Sequence, residues 1–138
     1  MSFSPYIGFS GAAREAMTAY AAIFRASDLQ IMAFADLPAD QRPPGTDDFV
    51  MHAQFSAGPG APLMGCDIPP GMGTAGMGGS SVFHAAPDVA TAHRVFDALA
   101  DGGSVEMPLA ASFWSAAFGM LTDRFGTRWM ISVAPDAT

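Results

Sequence analysis

The side chains able to do chemistry in this chain are few: three histidines, one cysteine and a scatter of carboxylates. In the run VMHAQF, His52 alternates with Val50 and Gln54, a spacing that sends it to one face of a strand. There it would serve as an acid, a base or a ligand, or else as a structural or interface histidine. Cys66 shares strand parity with Met64, so the two would face the same space. A thiol becomes a nucleophile only when a neighbour takes its proton, and no base lies close in sequence, which makes packing the plainer role. His93, beside Arg94 on the polar side of an amphipathic run, reads as a solvated face. Asp36, Asp67 and the pair Asp123–Arg124 fall where strands and hairpins end, which is turn chemistry or surface pairing. Phe113, Trp114 and Phe118 form an aromatic cluster that is either a ligand-stacking wall or core.

These residues sit in a pattern that occurs twice. Val50 to Cys66 (VMHAQFSAGPGAPLMGC) and Ala116 to Ser132 (AAFGMLTDRFGTRWMIS) share a layout 66 residues apart. Each is an apolar strand-like run, a turn at Gly60 or Gly126, and a second run with Met64 or Met130 four residues after that glycine. Upstream of each copy lies a strand and an amphipathic helix. Phe3 to Phe9 reads as a strand, and Ser10-Gly11 as a helix start. Ala16, Met17, Tyr20, Ile23 and Phe24 then recur at helical spacing. Strands follow at Leu29 to Phe34, Phe49 to Ala57 and Pro62 to Cys66, with Asp36 to Asp48 as a proline-rich surface loop. The second copy repeats this order. It has a strand at Ser80 to Ala85, a helix begun at Pro87-Asp88 with Val89, Ala92, Val95, Phe96 and Leu99 as its buried stripe, and a stop at Gly102-Gly103. Strands follow around Val105 to Trp114, Ala116 to Thr122 and Arg128 to Ala134. Such duplication argues for two copies of one module.

The organisation expected is a first module over residues 1–68, a Gly/Pro/Met linker over 69–79 and a second module over 80–138, sharing one core. Gly71 to Gly76 formally matches G-x-G-x-x-G. That motif works only between a strand and a helix N-terminus, and here prolines precede it and a strand follows. It reads as linker. Six Lys plus Arg against thirteen Asp plus Glu give a net charge of −7 with no basic run, which excludes a phosphate-neutralising footprint and with it a nucleic-acid partner. No stretch of about 18 apolar residues could span a bilayer, and the start MSFSPYIGFSG lacks the layout of a secretory signal. The expected location is cytoplasmic, with no membrane partner.

The double strand-helix-three-strand order resembles the vicinal oxygen chelate superfamily, which includes glyoxalase I, bleomycin resistance proteins and extradiol dioxygenases. Within it, the phrases YIGFSGAAREAMTAYAAIF, DFVMHAQF, LMGCDIPPG and FWSAAFGMLTDRFGTRWMI are similar to the PhnB-like branch, over nearly the whole chain. The resemblance implies an α+β fold of two paired βαβββ modules forming U-shaped sheets around a small-molecule cavity, and a homodimer. Enzymes of the superfamily hold a divalent metal on His, Glu or related ligands from the first and last strand of each module. The last-strand positions fall here at Met64 and Met130. The first-strand positions fall near Pro5 or Tyr6 and near Ser81 or Phe83, with His84 beside them as a possible single ligand. Thioethers are poor ligands for a hard ion, so no metal and no cofactor are expected. The branch is often labelled as similar to a demethylubiquinone methyltransferase. That activity is not carried over, because the only glycine fingerprint lies in the linker.

The function expected is therefore binding of a small organic molecule, with Tyr6, His52, Met64, Cys66, His84, Trp114 and Met130 as the contacting residues. The alternative is a metal-dependent lyase, isomerase or dioxygenase with an atypical divalent site.

Overall fold

In a computed structural model, which describes residues 2–73 and 75–135, two strand-helix-three-strand runs follow one another along the chain. Thr74 of the expected linker and residues 136–138 of the expected second module lie outside the described residues. The chain divides into two compact units, Met1–Gly76 and Met77–Thr138. The fold is α+β with two βαβββ modules.

The first unit contains β1 (Tyr6–Phe9), α1 (Ala13–Ile23), β2 (Gln30–Ala33), β3 (Val50–Phe55) and β4 (Leu63–Asp67). Its sheet has the order β1-β4-β3-β2, parallel between β1 and β4 and antiparallel elsewhere. Two single 3₁₀ turns, Phe34–Asp36 and Ala39–Gln41, interrupt the loop expected after β2. Alternation along β1, β3 and β4 sends Ile7, Phe9, Ala53, Phe55, Leu63 and Gly65 to a buried face. That face packs against Ala13, Ala16, Met17, Tyr20 and Ala21 of α1. Ile23 and Phe24, expected in the buried stripe, are only half-buried, because the helix ends between them. Phe24 instead stacks on Phe55 with ring centroids 6.4 Å apart.

The two ends of α1 are held by chemistry that its own sequence does not advertise. Ser10-Gly11 supplies no cap, and the N-cap residue Ala12 has no side chain to offer. The carboxylate of Asp67, at the end of β4, accepts from the amides of Gly11 at 2.8 Å and Ala13 at 3.0 Å, and its other oxygen accepts from Val50 at 2.9 Å. Asp67 is therefore a buried long-range cap rather than a turn residue. At the other end, Ala26 N–H donates to Ala21 O and Arg25 N–H to Ala22 O, the paired bonds of a Schellman motif. Arg25 takes the left-handed position at φ 56°.

The second unit contains β5 (Val82–Ala86), α2 (Val89–Ala100), β6 (Ser104–Ser112), β7 (Ser115–Thr122) and β8 (Arg128–Val133), in the order β5-β8-β7-β6. Here the helix is capped locally, since Asp88 accepts from Thr91 N–H at 2.7 Å. Ala92, Val95, Phe96 and Leu99 are buried, and full burial of a Val, Leu or Phe side chain stabilises by about 1.5–3 kcal/mol. Val89 is only half-buried, because it opens the helix at the rim. Gly119 of β7 lets the helix approach, since a Cβ there would lie 2.7 Å from the Phe96 ring. Strand β6 is an exposed edge, which accommodates Pro108 and its missing N–H. Trp114 lies in the turn after β6 rather than in the strand.

Candidate functional site

The face of each sheet turned away from its helix carries most of the residues singled out from the sequence. In the first unit the register sets Tyr6 beside Met64 and Met64 beside Gln54, with Gln54 beside Gln30 on β2. The neighbouring row runs from Gly8 to Cys66 and from His52 to Met32. His52 reaches this face by an irregularity that strand alternation does not foresee. The register shifts so that Val50 pairs with Ala33 while His52 pairs with Met32, leaving Met51 as the extra residue. Val50 thus turns to the buried side and His52 to the other, so the two do not share a face as their spacing implied.

A polar chain crosses this face. Tyr6 leans over β4 to bring its hydroxyl 2.9 Å from His52 Nδ1, with the rings 5.5 Å apart. His52 Nε2 lies 2.9 Å from Gln54 Oε1. An amide oxygen can only accept, so Nε2 carries the imidazole proton and Nδ1 accepts from Tyr6. Burial, then the influence of the neighbouring Cys66, push the Tyr6 phenol up to about 12. Burial likewise raises the Cys66 thiol above its ordinary value, with the neighbouring Tyr6 opposing the rise and Asp67 adding to it. At neutral pH the group is therefore a protonated thiol and a protonated phenol around an imidazole, a hydrogen-bonding platform rather than a preformed nucleophile.

In the second unit the corresponding face carries an apolar row. Phe83, Met130, Met120 and Met107 form one row across all four strands, each paired in register with the next. Phe83 is 59% exposed and Met107 47%. Trp114 packs edge-on against Phe118 at 4.5 Å, whereas Phe113, expected in the same cluster, is 97% exposed and stands apart. Three flexible thioethers beside an aromatic ring make a surface that adapts to the shape of an organic molecule.

His84 is not on this face. Strand parity places it with Val82 and Ala86, paired with the buried Ile131, on the side turned toward α2. Burial lowers its pKa from the ordinary imidazole value. Its neighbour Phe83 is the residue in register with Met130, as Tyr6 is with Met64. If the resemblance's ligand positions fall at Tyr6, Phe83, Met64 and Met130, they carry a phenol, a phenyl and two thioethers, which do not fit a hard divalent ion. Among the described residues no three His, Cys, Asp or Glu side chains come together as a metal-holding group.

Gln54, Met32, Met107 and Met120 belong to these faces but were not singled out from the sequence. Their period-2 spacing from His52 and Phe118 carried the signal for Gln54 and Met120. For Met32 and Met107 the signal lies only in cross-strand register. Asp123, in the β7–β8 hairpin, is buried and structural, accepting from Phe125 N–H at 2.8 Å, Thr127 N–H at 3.0 Å and Trp129 Nε1–H at 2.8 Å. The glycine stretch around Gly71 to Gly76 runs between β4 and β5 with no helix after it, so it lacks the helix terminus that a pyrophosphate needs. No helix among the described residues is long and apolar enough to cross a membrane.

Comparison with known proteins places this arrangement in a family. The model of the family described as 3-demethylubiquinone-9 3-methyltransferase matches residues 1–132. The chain is 39% identical to protein PA1353 from Pseudomonas aeruginosa, whose crystal structure superposes with a TM-score of 0.87 over 97% of this chain and 98% of that one. It is 32% identical to protein YjdN of Escherichia coli K12, over 96% of this chain and 95% of that protein. The PhnB protein from Bacillus cereus is 27% identical, with a TM-score of 0.76 over 97% of this chain and all 100% of the other. With this topology and these matches, the chain belongs to the PhnB-like family, described as 3-demethylubiquinone-9 3-methyltransferase, and has the glyoxalase/bleomycin resistance fold.

Proposed function

We propose that the protein binds a small organic molecule on the sheet faces turned away from its helices, without the divalent metal of its superfamily's enzymes, and that it does so as a homodimer. The observation that carries this reading is that each unit turns a face away from its helix, polar in the first and largely apolar in the second. One face is polar, with Tyr6, His52 and Gln54 hydrogen bonded in a chain and Cys66 in the neighbouring row. The other is the apolar row Phe83, Met130, Met120 and Met107. Apolar surface and a few placed polar groups are each the kind of lining that small-molecule sites use. In the first unit the hydroxyl of Tyr6 and the amide of Gln54 would orient an oxygen-bearing ligand; in the second the methionines would conform to a carbon frame. The methyltransferase activity in the family's description finds no support in the glycine stretch, which has no helix N-terminus to face a nucleotide.

The test is native mass spectrometry of the purified protein, followed by extraction and identification of any organic molecule it carries. The environment-sensitive dye 1-anilinonaphthalene-8-sulfonate serves as a probe in parallel. A dimer mass and dye binding that falls in Met130→Ser or Phe83→Ser are expected. The absence of both a co-purified molecule and dye binding sensitive to these substitutions would sink the binding reading. One stoichiometric zinc, manganese, nickel or iron ion per chain would put a metal-dependent lyase, isomerase or dioxygenase in its place.

A further inference from the structure

His52 bridges two side chains with its two ring nitrogens, which a single carbon separates. The Tyr6 hydroxyl lies 2.9 Å from Nδ1, and Gln54 Oε1 lies 2.9 Å from Nε2. A neutral imidazole donates at one nitrogen and accepts at the other, so each outer partner keeps a capacity that the bridge does not use. Tyr6 gives its hydrogen to the ring and retains lone pairs on oxygen. Gln54 accepts from the ring and retains the N–H bonds of its amide. Both groups reach the surface, Tyr6 being 51% exposed and Gln54 half-buried. Reversing the bridge preserves the pattern: with the imidazole proton on Nδ1 and the Gln54 amide turned about, Tyr6 keeps its O–H to give and Gln54 keeps its oxygen to accept. In either sense one end offers a donor and the other an acceptor.

The strands around the bridge bring no charge to this face. Met64 and Cys66 on β4 and Gln30 and Met32 on β2 complete it. Asp67, the one carboxylate on the four strands, is turned to the buried side, where it holds the amides of Gly11, Ala13 and Val50. The four strands contain no arginine, and the chain contains no lysine. An ionic ligand group would therefore lose water here without gaining a counter-charge.

We propose that the Tyr6–His52–Gln54 bridge recognises an uncharged primary carboxamide, lying across the imidazole with its oxygen and nitrogen directed to the two outer side chains. The oxygen and nitrogen of an amide are also separated by one carbon, so the group repeats the spacing of the ring nitrogens and brings one acceptor and one donor. A carboxylate brings two acceptors and an amidinium two donors. Each of these leaves one end of the bridge mispaired, in either sense of the bridge. The carboxamide would be the polar end of the proposed organic ligand, and the inference rests on that reading.

The experiment compares benzamide with its near-isosteres benzoate and benzamidine on the full chain at pH 8 and about 0.15 M salt, by chemical-shift titration of nitrogen-15-labelled protein. Benzamide is expected to bind about tenfold tighter than either analogue, with the shifts centred on Tyr6, His52 and Gln54. Gln54→Glu keeps an acceptor for His52 Nε2 and replaces the amide donor by a second acceptor, so it should move the preference to benzamidine. Tyr6→Phe removes one oxygen atom with little change of packing and should weaken benzamide several-fold. Four results overturn the proposal: no benzamide binding, an analogue that binds the parent chain as tightly, shifts that miss these three residues, or an unchanged preference in Gln54→Glu. Dye binding that still falls in Met130→Ser would then leave the broader reading of an organic ligand in place, so the two fail separately.

Discussion

The hydroxyl of Tyr6 lies 2.9 Å from Nδ1 of His52, although β1 and β3 are not neighbours and β4 runs between them. The phenol therefore spans a strand, and it does so near Cys66, whose influence joins burial in raising the phenol to about 12. The folded chain holds this proton more tightly than the unfolded chain, whose tyrosines titrate near about 10. Stability should thus fall as pH rises from about 10 toward 12. The phenolate absorbance lost in Tyr6→Phe relative to the parent protein should titrate near 12, and Cys66→Ala should lower that midpoint only in part, since burial is the larger cause. A midpoint at the ordinary tyrosine value would show that Tyr6 does not hold this position in solution.

Asp67 supplies the cap that α1 lacks. Asp67→Asn keeps one acceptor oxygen and turns an amide donor toward amides that also donate. At least one of the Gly11, Ala13 and Val50 N–H groups then loses its partner in a buried site. An unsatisfied buried donor costs about 1–3 kcal/mol, so the variant should unfold at clearly lower urea, with the loss centred on the first unit. Equal midpoints for variant and parent would mean the three bonds contribute nothing net.

Much of this architecture can be read from the sequence because its signals are periodic. Ala92, Val95, Phe96 and Leu99 mark a helix face, and the repeated Gly-to-Met spacing at Gly60–Met64 and Gly126–Met130 marks the duplication. What stayed hidden depends on register or on contacts distant in sequence. His52 lies on the face of Gln54 but not of Val50, because one extra residue at Met51 resets the alternation. His84 misses the apolar row by one residue: Phe83, not His84, pairs with Met130. The Asp67 cap joins residues 54 and 56 positions apart, beyond the reach of any local capping signal.

Arg25 closes α1 in the left-handed conformation at φ 56°, a position where glycine carries no steric cost. Its backbone already makes the Schellman bonds, so Arg25→Gly keeps them and removes the Cβ clash. The left-handed penalty for a non-glycine residue is about 1–2 kcal/mol, partly offset by the greater freedom of glycine in the unfolded chain. A gain of roughly 0.5–1 kcal/mol follows, visible as a higher midpoint in thermal or urea unfolding. A destabilised variant would show that the arginine side chain contributes more than its backbone geometry costs.

His84 sets the acid side of stability. It lies with Val82 and Ala86 on the buried side of β5, and burial lowers its pKa below the ordinary imidazole value. Below about pH 6.5 the unfolded chain takes up a proton that the folded chain resists. Folding therefore loses stability as pH falls from that point, until the folded histidine is also protonated; above it the group contributes no pH dependence. His84→Gln removes the titrating group while keeping a polar side chain of similar reach. The expected result is a flatter stability profile between about pH 6.5 and 5 in this variant than in the parent, measured by urea unfolding across a pH series. His93→Gln, which replaces an exposed histidine on α2, serves as the control and should leave the parent's slope in place. If His84→Gln keeps the slope and His93→Gln removes it, the protonation that destabilises the fold does not occur at the β5 histidine.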